Sequence, residues 1–287
     1  EAYLTAVPKT GQILLDYFCE KQEVWRNSEK FYGQPFIWCY LGNFGGNTML
    51  VGNIPELEEK LSAALSEAYP LGIGSTLESF DCSPQIYEYL FSRIWTNGKE
   101  PDVVHRWTRQ WADTRAGEYN SLTQKDWLLL VDSVYRDWSF YGLGTQLVAR
   151  PTFDGHGTYY TKPYYSYNND HLFHAWRSLA LDAEGRPDSY QYDLVNLGSQ
   201  WLGNRFMEVR NKFTIAYRHK NLRLMQKQVE EANKIFAQTD MLLSTHPSFL
   251  VGKWVKDARA WGKTKEEKAQ FEEEALTILT TWGGPIL

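Results

Sequence analysis

Nothing in the 287 residues approaches the uninterrupted apolar stretch of ~18 residues that a membrane-spanning helix needs. Mean hydropathy is −0.49, and no membrane span is expected. Cysteine is scarce: Cys19, Cys39 and Cys82 form an odd, sparse set that argues against a disulfide framework and leaves the redox compartment open. The chain opens at Glu1 with no basic segment ahead of an apolar one, so no signal peptide is read in it. Long runs of one charge are missing too. With a net charge of −5 and no basic stripe to follow a phosphate backbone, nucleic acid is not an expected partner.

The usual signatures of several chemistries are also absent. There is no GxSxG elbow and no HExxH helix, which removes the serine-hydrolase and zincin readings. His171 and His174 lie three apart on a helical pattern but have no further ligand cluster, so they read as a solvated or packed pair and no metal site is expected. The segment from Gly42 to Asn47 lacks the GxGxxG spacing and a following Lys-Ser/Thr. Its glycines read instead as a tight turn that brings backbone and Phe44 to a rim. No cofactor is called for. There is no Asn-x-Ser/Thr acceptor, no internal repeat and no low-complexity stretch.

What is present is aromatic. Phe, Trp and Tyr make up 15% of the chain, with 12 Trp and 18 Tyr. Flat rings suit the apolar C–H faces of pyranoses, but they also dominate core packing, and composition does not separate the two uses. Short strands fit 12–18, 35–41 and 72–78, with Pro35 at the tolerated first strand position. A helix fits 53–66, with Asn53 as N-cap, Glu56 three residues on, and Leu57, Leu61 and Leu65 on one face. Another begins at Ser83-Pro84 with Ile86, Leu90 and Ile94 as its buried stripe. Crossovers of this length imply parallel strands joined right-handedly. Three such strands do not close a barrel, so residues 1–97 read as the last part of a larger (β/α)8-type catalytic barrel.

From about residue 100 the period changes. Asp102, Asp126 and Asp170 each read as the cap of a helix, two long amphipathic helices fill 190–243, and 249–261 and 264–281 add two more. Thr264 and Glu267 have capping-box spacing. No strand alternation recurs, so residues 98–287 are expected to form an all-α domain, cut short at its end. The Tyr-, Gly- and Pro-rich segment 150–169 is expected to pack across the junction.

Parallel barrels place chemistry where strands end and βα loops begin. That rule selects Asp16 and Tyr17; Trp38, Cys39, Asn43 and Phe44; and Glu78. A carboxylate, an amide and ring platforms on one rim are what a glycosidase needs. By position alone Glu78 is either such a carboxylate or an ordinary loop acid beside Ser79 and Asp81. The competing functional class is a noncatalytic carbohydrate-binding or interaction module, in which Glu78 only hydrogen-bonds a hydroxyl. A purely helical scaffold is disfavoured by the strand-like segments.

The stretch GQPFIWCYLGNFGGNTMLVGNI (33–54) resembles the segment that marks glycoside hydrolase family 89, the α-N-acetylglucosaminidases. LLDYFCEKQEVW (14–25) and GIGSTLESFDCSPQIYEYLFSRIW (72–95) are similar to the flanking family segments in the same order. LVARPTF (147–153), HLFHAWRSLA (171–180) and LTTWGGPIL (279–287) extend the resemblance along nearly the whole chain. It implies a small N-terminal domain, a (β/α)8-type barrel and an all-α domain folding over the active site. It also implies a retaining, exo-acting hydrolase of terminal non-reducing α-linked N-acetylglucosamine with two glutamates. The match to GIGSTLES puts the nucleophile on Glu78. Tyr17, Phe44, Trp282 and Ile286 carry over as substrate-binding positions. The acid/base glutamate belongs to an upstream Asn-Glu motif that these residues do not contain, so residues 1–287 alone are expected to be inactive. The histidine that relatives carry after the SVY segment has no counterpart near Tyr135. The implied partner is a glycan with terminal α-N-acetylglucosamine. The resemblance leaves homo-oligomerisation open, and it implies a secreted or periplasmic place in a bacterium, or a lysosomal one in animals.

Overall fold

A computed structural model describes residues 2–42, 50, 52–77, 83–96, 102–137, 147 and 165–280. A short helix α1 (Ala2–Ala6) precedes strand β1 (Leu14–Asp16), helix α2 (Val24–Asn27) and strand β2 (Phe36–Tyr40). Strand β3 (Gly52–Asn53), helix α3 (Ile54–Glu67), strand β4 (Gly72–Ser75) and helix α4 (Pro84–Ser92) follow. β1, β2 and β4 form a parallel sheet in the order β1-β2-β4, with Asp16 opposite Trp38 and Tyr40 opposite Ser75. All three strands therefore end on the same side. Pro35 lies just outside β2, and its carbonyl accepts the Leu14 N–H at 2.9 Å.

α3 forms as its sequence directs. Asn53 Oδ1 accepts the Glu56 N–H at 3.1 Å, and Asn53 Nδ2 donates to Glu56 Oε2 at 3.2 Å, a reciprocal cap. Leu57 and Leu61 are buried on the core face. α4 departs from expectation at its end. Ile94 is 43% exposed, because the chain tightens to a 3₁₀ turn at Arg93–Trp95 and turns Arg93 inward instead. Arg93 Nε and Nη2 grip Glu58 Oε2 and Oε1 at 2.7 and 2.9 Å, so an ion pair takes the position the apolar stripe predicts.

The second region holds α5 (Val103–Ala116), α6 (Ser121–Asp132), strand β5 (Arg136–Asp137), α7 (Asn169–Leu181), α8 (Asp188–Arg218), α9 (Leu222–Leu243), α10 (Val251–Ala260) and α11 (Lys265–Thr280). Three caps differ from the sequence reading. Asp102 stands at φ +59 and makes no side-chain cap, facing His105 at 2.9 Å instead. Asn120, not Asp126, caps α6 by accepting from Leu122 and Thr123 N–H, each at 3.0 Å. Asn168, not Asp170, caps α7. At α6 and α7 an Asn ahead of the Asp caps instead, because its oxygen sits at the turn where the free N–H groups point. The Thr264–Glu267 capping box forms as expected.

β5 pairs antiparallel with β3, so one strand does recur in the second region, where none was expected. One continuous core joins both regions, from Trp38, Tyr40 and Leu61 through Tyr89, Trp111 and Trp127 to Leu172 and Tyr190. Much of the aromatic excess is spent there. Trp107 stacks on Trp111, Trp111 meets Trp127 edge-on at 4.5 Å, and Phe173, Trp176 and Trp201 form a second set. Among the described residues no helix is long and apolar enough to cross a membrane.

Candidate active site

The rim is built where the parallel strands stop. The Thr76 N–H donates to the Tyr40 carbonyl at 3.0 Å, and Thr76 Oγ1 donates to the Tyr17 carbonyl at 2.7 Å. One residue thus ties the exits of all three strands together, two positions before Glu78. Tyr17 projects from the β1 exit with 55% of its surface exposed, its ring stacked beside Phe18. Glu78, Phe44, Trp282, Ile286 and Asn43 lie outside the described residues.

Three other positions that the strand-end rule selects face the wrong way. Trp38 is fully buried, and Cys39 and Asp16 nearly so. Asp16 Oδ2 accepts the Trp25 N–H at 2.9 Å, and its carbonyl accepts from Cys19 Sγ at 3.0 Å, so this carboxylate organises the turn after β1. Burial holds its carboxyl above the usual range, against the hydrogen bonds from Trp25, Cys19 and Val24. Burial also raises both thiols, Cys39 to about 11 and Cys19 further, so neither is a ready nucleophile. The rule finds the level at which a strand ends; the side to which each residue turns depends on the packing around it.

The rim residue that the sequence does not single out is Glu20. It sits in CEKQ, which reads as a charged connector, yet its side chain is buried. Glu20 Oε1 accepts the N–H of Leu41 at 3.0 Å and of Gly42 at 2.7 Å, at the point where the chain leaves β2. Burial pushes its carboxyl up to about 7, against those bonds and the charge of Lys21. Gly42 stands at φ +71, and a Cβ there would meet the Tyr40 ring at 2.4 Å and Tyr87 Oη at 2.7 Å, so no larger residue fits this exit.

His171 and His174 are exposed, and no group of three or more His, Cys, Asp or Glu among the described residues could hold a metal. An open cleft lined by Ser62, Leu71, Arg93 and Thr96 lies at the opposite end of β4, away from the strand exits.

Comparison with known proteins places this rim in a family. Residues 1–97 match the family model described as the α-N-acetylglucosaminidase (NAGLU) TIM-barrel domain, and residues 107–286 that of the NAGLU C-terminal domain. The chain belongs to the α-N-acetylglucosaminidase family. It is 30% identical over 290 residues to human α-N-acetylglucosaminidase, covering 98% of this chain and 38% of that protein. A family 89 glycoside hydrolase from Clostridium perfringens, solved with PUGNAc, superposes with a TM-score of 0.89 at 26% identity, covering 97% of this chain and 32% of that one. A form of the Clostridium enzyme with two glutamates changed to glutamine, in complex with its substrate GlcNAc-α-1,4-galactose, gives a TM-score of 0.88 at 26% identity, covering 96% of this chain and 32% of that one. The chain thus spans well under half the length of these relatives. Its architecture is the family's: part of a TIM-barrel domain followed by a helical domain.

Proposed function

We propose that these residues form part of a longer enzyme that hydrolyses terminal non-reducing α-linked N-acetylglucosamine with retention of configuration. Residues 1–97 contribute the last strands of the catalytic barrel and residues 98–287 the helical domain over it. Glu78 is the nucleophile and forms a covalent glycosyl-enzyme. A glutamate outside residues 1–287 first protonates the leaving oxygen and then activates water, with the two carboxyls ~5–5.5 Å apart. Tyr17, Phe44, Trp282 and Ile286 line the pocket for the sugar. The enzyme acts on a glycan, in a secreted or periplasmic setting if bacterial.

The observation that carries this reading is the rim itself. Thr76 delivers the chain two residues short of Glu78 beside the exposed Tyr17, at the strand-end level where barrel enzymes do their chemistry. The Clostridium relative's substrate complex, with its two glutamates replaced, fits a mechanism of two carboxylates. The test uses the full-length protein and its Glu78→Ala variant on a chromogenic α-N-acetylglucosaminide. Turnover is expected to fall on the order of 10³-fold or more. Wild-type-like turnover in the variant would remove Glu78 from this role. NMR of the first-formed sugar should show the α anomer; a β anomer would overturn retention.

A further inference from the structure

We propose that Thr76 is a positioning residue for Tyr17: its hydroxyl fixes the peptide that carries this ring, so that the ring meets the sugar already in place. The inference rests on the reading above that Tyr17 lines the pocket. Thr76 is itself held from behind, because its N–H donates to the Tyr40 carbonyl at 3.0 Å at the end of β2. From that fixed point Thr76 Oγ1 donates to the Tyr17 carbonyl at 2.7 Å, 59 residues back along the chain. The neighbouring peptides are tied as well. The Asp16 carbonyl accepts from Cys19 Sγ at 3.0 Å, and the Phe18 carbonyl accepts the Lys21 and Gln22 N–H groups at 3.0 and 2.7 Å. The Cys19 N–H donates to the Cys39 carbonyl at 3.0 Å, which pins the turn to β2.

Every carbonyl from Asp16 to Phe18 therefore has a donor, while the Tyr17 side chain stands exposed beyond them. A half-buried hydroxyl bonded to a carbonyl at the surface adds little to stability, because water would serve both groups. The bond has a different use here. A ring on a slack turn loses freedom when a sugar settles against it, and a ring on a fixed turn has lost that freedom beforehand. Because the donor comes from the β4 exit and the acceptor from the β1 exit, the bond sets the ring's place relative to the whole sheet and not merely to its own turn.

The experiment uses the full-length enzyme on a chromogenic α-N-acetylglucosaminide and compares Thr76→Val, Thr76→Ser, Tyr17→Ala and the Thr76→Val/Tyr17→Ala double variant. Thr76→Val, which removes the hydroxyl and keeps the bulk, should raise KM roughly 3- to 10-fold with kcat within about twofold. Thr76→Ser, which keeps the hydroxyl, should restore KM. In the Tyr17→Ala background Thr76→Val should change KM no further, since the hydroxyl acts through the ring. Amide hydrogen exchange without substrate should quicken at Cys19, Lys21 and Gln22 in Thr76→Val and return to the wild-type rate in Thr76→Ser. Unchanged exchange overturns the proposal, as does a Thr76→Val effect that persists in full beside Tyr17→Ala or falls on kcat alone. If Tyr17→Ala itself leaves KM unchanged, the pocket reading of Tyr17 fails and takes this role of Thr76 with it. Wild-type protein without turnover would sink the proposed activity instead, and the exchange result would still decide whether Thr76 fixes the Tyr17 turn.

Discussion

The sheet side of the molecule and its last helices are held together in different ways. α3 has 14 residues and buries five of them. α9 has 22 and buries only Ile235, α10 buries none of its 10, and α11 buries only Ala275. The sheet side carries buried polar groups clamped by several partners each, as at Glu58 with Arg93, Tyr89 and Ser62. The last helices carry surface ion pairs such as Lys253–Asp257 and Lys234–Glu231. Phe236, Trp254 and Trp261, on or beside these helices, are 45, 42 and 80% exposed. Helical periodicity alone therefore says little about how much a helix contributes to the core.

The sharpest way to break that comparison is Arg93→Met. It leaves the Glu58 carboxylate, against Tyr89 Oη, without its guanidinium, and should lower stability by about 3–5 kcal/mol. Urea denaturation followed by tryptophan fluorescence reads this, and a loss below about 1 kcal/mol would show that the pair does not anchor the sheet side. Next, Leu61→Ala in the sheet-side core should cost more than Ile235→Ala in the small cluster with Leu202 and Val209, within the range of about 2–5 kcal/mol. Equal losses would erase the distinction drawn here.

A smaller effect depends on pH. Glu20 is raised to about 7 from 4.5, so the folded protein holds its proton more tightly than the unfolded chain. The stability this contributes is full below pH 4.5 and is lost as pH rises through about 7. Lys21 acts on this carboxyl through its charge, Lys60 Nζ donates to the Glu20 carbonyl, and the Cys19 and Cys39 thiols feel the Glu20 charge. Glu20→Gln should flatten that limb of the stability profile, and an unaltered limb would remove Glu20 as its source. Smallest of all, Thr264→Ala should cost about 1 kcal/mol locally and show as faster amide exchange in the first turn of α11. Unchanged exchange there would mean that the capping box contributes nothing to this helix.

Much of this was legible in residue order. The strands lie within 12–18, 35–41 and 72–78, though each is shorter than its apolar pattern, because pairing with a neighbour limits how far a strand runs. Asn53 and Thr264 cap as their spacing predicts, since a cap needs only atoms within one turn. Asn120 and Asn168 outcompete Asp126 and Asp170 because cap choice depends on where the turn itself falls. At the rim, the strand-end rule leads to Tyr17, whose side chain is exposed, and to Asp16, Trp38 and Cys39, which turn into the core.

Sequence by itself determined the α/β-then-α order, the parallel connections, the family and the level at which the strands end. All of these rest on patterns a few residues long or on matched segments. Only tertiary structure decided that Glu20, one residue among a charged run, is buried against the backbone of residues 41 and 42. Likewise, only the fold brought Gln200 to Leu50 across 150 residues. Burial and hydrogen-bond partnership are properties of distance in space, and no local pattern encodes which distant backbone a side chain will meet.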